Sequence, residues 1–164
     1  MKAGLDMPNI LLTRVDNRLI HGQVGVTWTK TLGANLIVVA DDETSSNEMM
    51  QSLMQVTAKS SGAETRFFTL EKTIKIIDKA APRQKIFIVV KTPHSARVLV
   101  EGGVPIKELN IGNMHFSDGK RALNKKVYVD DQDVEDFKIL IENGVNVYIQ
   151  DLPGDVKEQV SHLI

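Results

Sequence analysis

Five apolar residues in a row, Leu36-Ile37-Val38-Val39-Ala40, stand directly before two acids, Asp41-Asp42. A short run that is apolar at every position is typical of a strand that is covered on both faces. Strands of that kind belong to parallel sheets, in which helices pack against each side of the sheet. The run therefore predicts an α/β fold.

The rest of the chain alternates between similar apolar runs and helical spacing. Further strands are predicted at residues 10–15, 66–70, 86–90, 109–111 and 145–149. Helices are predicted at residues 23–32, 70–81 and 93–100, where Pro82 stops the second of them. Another helix is predicted to start at a capping box of Ser45 with Glu48, and one is predicted to run from Asp130 or Asp131 to Asn143. The spacing of Val156, Val160 and Leu163 predicts a helix at the C-terminus. Residues 116–129 are predicted to form a turn and a short extended pair. We predict a single three-layer α/β domain over residues 9–164, with a mainly parallel central sheet and helices on both faces, after a flexible leader of residues 1–8.

Two helix faces are predicted to be core. Trp28, the only tryptophan, lies on the apolar stripe of the first helix, which favours a core anchor over a ligand-stacking residue. The next helix has a methionine-rich face that we interpret as core filler, and its members are Met49, Met50, Leu53, Met54 and Thr57.

The composition excludes several classes of function. The 164 residues carry a net charge of −1, which gives no electrostatic case for nucleic acid as a partner. There is no cysteine, so thiol catalysis and thiolate zinc sites are excluded. The four histidines are far apart in sequence and give no support to a metal site, and no P-loop or dinucleotide glycine motif is present. No stretch approaches about 18 consecutive apolar residues, so we expect a cytoplasmic protein.

One loop combines a histidine with two arginines: Thr13-Arg14-Val15-Asp16-Asn17-Arg18-Leu19-Ile20-His21-Gly22-Gln23-Val24. The N–H groups that open a helix carry partial positive charge, so an anion brought to His21 would meet backbone donors and up to two guanidinium groups. A neutral imidazole is also a usable nucleophile near neutral pH. The loop predicts histidine chemistry on an anionic group, although a His-Gly pair can also simply close a turn.

Three other polar clusters follow predicted strands: Asp41-Asp42, Lys91-Thr92-Pro93 and residues 110–115. Ligands of such sheets bind beyond the carboxyl ends of the strands, so these clusters are expected near the histidine loop. The two acids could equally be helix caps, and the lysine could simply be solvated. A receiver domain is disfavoured, because its acceptor aspartate would follow the third strand, where Phe67-Phe68-Thr69 stands.

The segment 14–24, followed by Trp28, closely resembles the phosphorylation site of the IIB components of the mannose-fructose-sorbose family of the bacterial sugar phosphotransferase system. The resemblance continues in residues 38–42, 91–93, 110–114 and 127–133 and covers essentially the whole chain. It implies a transferase that relays a phosphoryl group, a protein-Nπ-phosphohistidine–sugar phosphotransferase. A phosphohistidine of IIA donates to Nδ1 of His21, which passes the group to sugar bound by the IIC and IID membrane subunits.

The resemblance, together with the loop's charges, also suggests roles for individual residues. His21 is the phosphohistidine intermediate, and Arg18 and Arg14 are the cations that stabilise the transferred group. Asp16 orients the loop or an arginine. Phosphate- or loop-positioning roles extend to Gly22, Gln23, Lys91, Asn110 and Gly112. No metal, nucleotide or other cofactor is required. Many members of the family have a second glycine where Asn113 stands, so the geometry of that loop is open.

Within the family, several runs look most like the N-acetylgalactosamine or galactosamine branch, with mannose, fructose and sorbose as alternatives. They are residues 17–19, 25–28, 113–116 and 150–154. The resemblance further implies peripheral association with the membrane permease, and family members are often dimeric. A second hypothesis is a regulatory protein on the same fold that binds an anion at His21 without turnover.

Overall fold

The computed structural model describes residues 7–164, so most of the predicted leader lies outside the described part of the chain. The strands are β1 (Asn9–Asp16), β2 (Leu36–Ala40), β3 (Glu64–Phe68), β4 (Lys85–Val90), β5 (Glu108–Asn113), β6 (Arg121–Ala122), β7 (Tyr128–Val129), β8 (Asn146–Ile149) and β9 (Glu158–Gln159). Seven of them form one sheet in the order β3-β2-β4-β1-β5-β8-β9. Every neighbouring pair in it is parallel except β8 with β9. The predicted α/β fold with a mainly parallel sheet is confirmed.

Helices follow most of the strands. A π-helix (Gln23–Trp28) continues into α1 (Thr29–Leu32), and the chain then forms α2 (Asp42–Ser45), α3 (Glu48–Lys59), α4 (Leu70–Ile76) with a 3₁₀ turn (Ile77–Lys79), α5 (Pro93–Glu101), α6 (Asp131–Glu142) and a last 3₁₀ turn (Val160–His162). The short strands β6 and β7 pair antiparallel, as predicted for residues 116–129. Of the helices between residues 7 and 164, none has both the length and the apolar character that a membrane span needs.

Two core layers lie on opposite faces of the sheet. Leu36, Val38 and Ala40 of β2 belong to one layer, whereas Ile37 and Val39 belong to the other. All five are buried. Successive side chains of a strand point to opposite faces, so a strand between two layers has to be apolar at every position. The continuous apolar run of β2 is explained by this double coverage.

The first helix begins wider than an α-helix. The π-helical part covers Gln23–Trp28, and the side-chain hydroxyl of Thr29, the first residue of α1, donates to the carbonyl of Val24, five residues earlier, at 2.7 Å. Gly25 lies where this helix packs against α3. A Cβ added to it would lie 2.9 Å from Cγ2 of Ile20 and 3.1 Å from Cγ2 of Thr57. The close contact between the two helices therefore requires glycine at position 25.

The predicted capping box of Ser45 with Glu48 is wrong. The side chain of Asn47 accepts the bond from the backbone N–H of Met50 and so caps α3. Ser45 instead ends the separate short helix α2, which Asp41 caps. The reason is that Asp41 starts a helix earlier than the periodicity suggested, and the chain has to turn once more before α3.

The methionine-rich face of α3 is core only in part. Met54 is buried, but the side chains of Met49 and Leu53 are 76% and 67% exposed. Because α3 turns Met54 and Ala58 towards the sheet, the exposed pair lies on a neighbouring stripe with Val56. Trp28, by contrast, is 4% exposed, which confirms its place in the core.

The predicted C-terminal helix is also wrong. Residues 158–159 form β9, which extends the sheet beside β8, and only a 3₁₀ turn follows. Val160 is fully buried, whereas Val156 is 85% exposed. The helical spacing of the apolar residues was therefore coincidental, because the strand pairing brings Val160 to the core and leaves Val156 outside it.

Gly25→Ala should destabilise the fold, since the added methyl group has to displace Ile20 and Thr57 in a packed contact. We expect a loss of about 1 to 3 kcal/mol in the free energy of unfolding, measured by urea titration. Gly22→Ala is the matched control. Gly22 also has helical backbone angles, but a Cβ there meets no atom within 4 Å. The control should be neutral or slightly stabilising, and equal losses in both variants would contradict the packing argument.

Candidate active site

The site is built where β1 ends and the histidine loop begins. Asp16 is the last residue of β1 and is fully buried. The backbone N–H of Leu19 donates to the carbonyl of Asp16 at 3.0 Å, which closes a tight turn. Leu19 has a φ of 57°, a left-handed conformation that is uncommon for leucine, and its side chain is buried. This turn brings His21 back over the end of the strand from which the loop departed.

The carboxylate of Asp16 organises the loop through both of its oxygens. Oδ2 accepts from Nε2 of His21 at 3.1 Å, from Nη2 of Arg14 at 3.3 Å and from Nδ2 of Asn113 at 3.2 Å. Oδ1 accepts from the backbone N–H of Arg18 at 3.0 Å. An ionised carboxylate only accepts, so the nitrogen of His21 that faces it carries the proton. In a neutral ring, Nδ1 is then the nitrogen with the free electron pair.

A bulge in β5 supplies the amide of Asn113. In the pairing of β1 with β5, Val15 lies opposite Ile111 and Asp16 lies opposite Asn113, so Gly112 has no partner in β1. The extra residue turns Asn113 towards Asp16. A Cβ at Gly112 would lie 2.1 Å from Nη2 of Arg14, which no side chain could tolerate. Glycine is therefore required at position 112 because the guanidinium group of Arg14 occupies that space.

Arg14 is buried completely. Its Nη1 donates to Oδ1 of Asn110 at 2.5 Å and to the carbonyl of Gln150 at 3.0 Å, and its Nη2 lies 3.9 Å from a carboxylate oxygen of Asp151. Its guanidinium group thus meets the protein rather than an incoming anion. Arg14 lies between Leu12 and Asp16 on a strand that is buried at every position from Leu12 onwards, and its place inside an apolar strand was the sequence signal that could have marked it as buried.

Arg18 is the exposed cation of the loop. Its side chain is 45% exposed, and its Nε lies 3.7 Å from Oδ1 of Asp16. The side chain of His21 is 17% exposed, so Arg18 and His21 both reach the surface. The structure therefore brings together one accessible histidine and one accessible arginine on a shared buried carboxylate.

The other polar residues near the predicted strand ends differ in what they contact. Asn110 is buried beneath Arg14, and Gln23 donates to a carboxylate oxygen of Asp151 at 3.0 Å. The ammonium group of Lys91 lies 3.8 Å from a carboxylate oxygen of Glu43. Asp41 is a helix cap, and Asp42 accepts from the backbone N–H of Leu70 at 2.9 Å. Asn110 and Gln23 therefore support the loop, whereas Asp41 and Asp42 have structural roles elsewhere.

The environment keeps Asp16 ionised. Burial raises the pKa of Asp16, but the hydrogen bond from His21, the charge of Arg14 and the backbone N–H of Arg18 hold the pKa below its ordinary value. Burial lowers the pKa of Arg14 from its ordinary value, while Asp16 and Asp151 raise it. The pair remains charged at neutral pH, so Asp16 stays an acceptor for the N–H of His21.

Two contributors were missed by the sequence analysis. The Asn113 amide had no assigned role, although a strand with glycine just before a polar residue is a signal for a bulge. Asp151 follows the last parallel strand and accepts hydrogen bonds from Gln23 and Lys126. Asp151 lies in the run 150–154 that carries part of the family resemblance, but its spacing gave no sign of its contacts with Gln23 and Lys126, which are distant in sequence.

Asp16→Asn should destabilise the protein by about 3 kcal/mol at pH 7, because Arg14 would lose its charged partner in a buried site. The ionised form of Asp16 stabilises the fold fully above the unfolded pKa of about 4, and this contribution is lost as the pH falls through the lower folded pKa. We would measure the free energy of unfolding in guanidinium chloride at several acidic pH values. Its decrease with falling pH should have a smaller slope in Asp16→Asn than in wild type. Asp155→Asn, in an exposed turn, should keep the wild-type slope, and equal slopes for Asp16→Asn would contradict the assignment.

Comparison with known proteins identifies the family. Residues 10–164 match the family model described as PTS system sorbose subfamily IIB component. The chain is 60% identical over 153 residues to the N-acetylgalactosamine-specific phosphotransferase enzyme IIB component 1 of Escherichia coli (strain K12). The aligned residues cover 93% of this chain and 97% of that relative. Component 2 of the same organism is 48% identical over 149 residues, 91% of this chain and 94% of that relative.

Solved structures agree with this match. The crystal structure of the Escherichia coli N-acetylgalactosamine-specific IIB component 1 superposes with a TM-score of 0.90 over 92% of this chain and 99% of that chain. The crystal structure of a PTS-dependent N-acetyl-galactosamine IIB component from Streptococcus pyogenes is 42% identical to this chain. It superposes with a TM-score of 0.89 over 96% of this chain and 98% of that chain. This chain therefore belongs to the sorbose-type IIB components of the sugar phosphotransferase system.

Proposed function

We propose that Nδ1 of His21 accepts a phosphoryl group from a phosphohistidine of IIA and passes it to a sugar held by the IIC and IID membrane subunits. The phosphotransfer role follows from the family, and the 60% and 48% identical relatives are both named as N-acetylgalactosamine-specific. We therefore take N-acetylgalactosamine or galactosamine as the sugar. The protein would work in the cytoplasm, at the membrane face where the phosphorylated sugar is released.

The observation that carries this proposal is the contact of 3.1 Å between Nε2 of His21 and Asp16. It leaves the electron pair of Nδ1 free to attack phosphorus, while the bond from phosphorus to the donor nitrogen breaks. Positive charge develops on the imidazole ring as the new bond forms. The carboxylate of Asp16 is already in place to stabilise this charge, so little reorganisation is needed during the transfer.

The second step reverses the role of the histidine. An oxygen of a sugar hydroxyl attacks phosphorus, the bond from phosphorus to Nδ1 breaks, and the hydroxyl proton is lost to solvent. The electron pair returns to Nδ1, and the ring is again neutral with its proton on Nε2. His21 thus divides one transfer between two partners into two steps through a covalent intermediate.

The surrounding residues would share the electrostatic work. We assign Arg18 to the phosphoryl oxygens, because it is the loop arginine with an exposed side chain. Arg14 would act indirectly, by holding Asp16. The empty space beside Gly22 would admit the phosphoryl group next to the helix N–H groups. Lys91 is 33% exposed at the same edge of the sheet, and we keep it as a weaker candidate for positioning.

His21→Gln should abolish phosphorylation. The experiment is intact mass after incubation with phosphoenolpyruvate, the general phosphotransferase proteins and a phosphorylated IIA. Wild type should gain one acid-labile, base-stable phosphoryl group. His94→Gln is the matched control, since His94 is an exposed histidine whose Nδ1 lies 3.7 Å from the buried carboxylate of Asp136. It should be phosphorylated like wild type, and a group retained in His21→Gln would overturn the site.

The sugar step separates a transferase from a regulatory protein that only binds or stores the group. Phosphorylated wild type, mixed with membranes that contain the cognate IIC and IID subunits, should lose its phosphoryl group when N-acetylgalactosamine or galactosamine is added. Mannose, fructose and sorbose are the comparison sugars. A phosphoryl group that every sugar leaves in place would contradict the proposed turnover.

Arg18→Gln should slow phosphorylation of His21 by about 100-fold, because one charged donor to the transferred group is removed. The rate is measured by quenched time courses against a phosphorylated IIA. Arg66→Gln is the control, since Arg66 is an exposed arginine on β3 that pairs with Glu64. A rate for Arg18→Gln equal to that of the control would show that Arg18 does not contact the phosphoryl group.

A further inference from the structure

Trp28 has two contacts with the site in addition to its place in the core. The centroid of its ring lies 5.1 Å from Cζ of Arg14, within the range of a cation–π interaction. Its Nε1 donates to the backbone carbonyl of Asp151 at 2.9 Å. Trp28 is the last residue of the π-helix that begins just after His21. It therefore connects the helix of the histidine loop to the loop after β8.

Asp151 is held at the same place by several donors. Its carboxylate accepts from Nε2 of Gln23 at 3.0 Å and from Nζ of Lys126, and it lies 3.9 Å from Nη2 of Arg14. Burial raises the pKa of Asp151, but Lys126 and Gln23 outweigh it and hold the pKa below its ordinary value. The carboxylate is therefore a second negative charge beside the buried guanidinium group.

Arg14 is not held by hydrogen bonds alone. Its Nε has no hydrogen-bond partner within residues 7–164, although the side chain is fully buried. A buried cation with an unpaired donor carries a free-energy penalty that other contacts have to offset. The ring of Trp28, the charge of Asp151 and the backbone of Gly112 are those contacts. Without them, the guanidinium group could turn away from Asp16.

We propose that Trp28 and Asp151 are positioning residues for phosphoryl transfer: they fix Arg14, which fixes Asp16 and thereby the hydrogen-bonded Nε2–H of His21. This inference rests on the proposed function of His21. Neither residue touches the transferred group. Their effect passes through two buried side chains, Arg14 and Asp16, which contact each other at 3.3 Å.

The test uses a signal that exists before any phosphoryl group is added. A hydrogen-bonded Nε2–H of His21 should give a downfield proton resonance coupled to its ¹⁵N in the unphosphorylated wild type. Trp28→Leu removes the ring and the N–H, and Asp151→Asn removes only the charge. In both variants the resonance should be lost or broadened, and phosphorylation by a phosphorylated IIA should slow by about 10-fold or more. Trp28→Phe keeps a ring face and should be affected less than Trp28→Leu.

Two controls separate positioning from general destabilisation. Asp155→Asn makes the same charge change in the same loop, where Asp155 accepts from the backbone N–H of Leu152 and has no contact with Arg14. Phe137→Leu trims a fully buried side chain in the other core layer. Both should keep the His21 resonance and the wild-type rate, even if Phe137→Leu lowers the melting temperature.

The outcomes are distinct. If Trp28→Leu and Asp151→Asn keep both the resonance and the rate, the positioning role is overturned, and the same holds if the controls lose them equally. If wild type accepts no phosphoryl group from a phosphorylated IIA, the proposed function fails. The resonance still shows in that case whether Trp28 and Asp151 fix the Nε2–H of His21, because it is measured on the unphosphorylated protein, but a role in phosphoryl transfer is then overturned.

Discussion

The buried ion pair between Arg14 and Asp16 is the interaction on which the site depends. Both side chains have lost all contact with solvent, and burying two charges is costly unless each finds close partners. Asp16 meets this condition with four N–H donors, and Arg14 meets most of it with Asn110, Gln150 and Asp16. The histidine is one of those donors. A histidine that reaches the surface is thus oriented by an electrostatic requirement of the interior.

The sheet order explains why this pair can exist. β1 lies between β4 and β5, and its last residues are therefore enclosed on both sides by neighbouring strands. The bulge at Gly112 gives room for the guanidinium group and turns Asn113 inward. Ligand sites in such sheets lie beyond the carboxyl ends of the strands, and here the edge formed by β1, β5 and β8 supplies the protein groups that surround Arg14 and Asp16.

Much of the fold was predictable because its signals are local. A run such as that of β4, apolar from Ile86 to Val90, has few interpretations, and Thr92 before Pro93 marked the start of α5. Within the site, the sequence pointed to the histidine and arginines of one loop, but it assigned Arg14 to an incoming anion, whereas the structure buries that side chain. The contact between Asp16 and His21 depends on the left-handed Leu19, and the burial of Arg14 depends on a strand almost a hundred residues away. Spacing rules carry no information about either. The predicted capping box and the predicted C-terminal helix were wrong for a related reason. Asn47 caps α3 because the short helix α2 comes just before it, and Val160 is buried because β9 pairs with β8.

The π-helix makes the number of residues between His21 and Trp28 a constraint of its own. Its wider turn holds one more residue than an α-helical turn would, and Gly25 lies within it. If the same residues were wound as an α-helix, Trp28 would be rotated by about 100° around the helix axis relative to His21. The indole ring would then face away from Arg14. The length of this segment and the way it is wound are therefore linked, because a change in one has to be matched by a change in the other if the indole ring is to stay on Arg14.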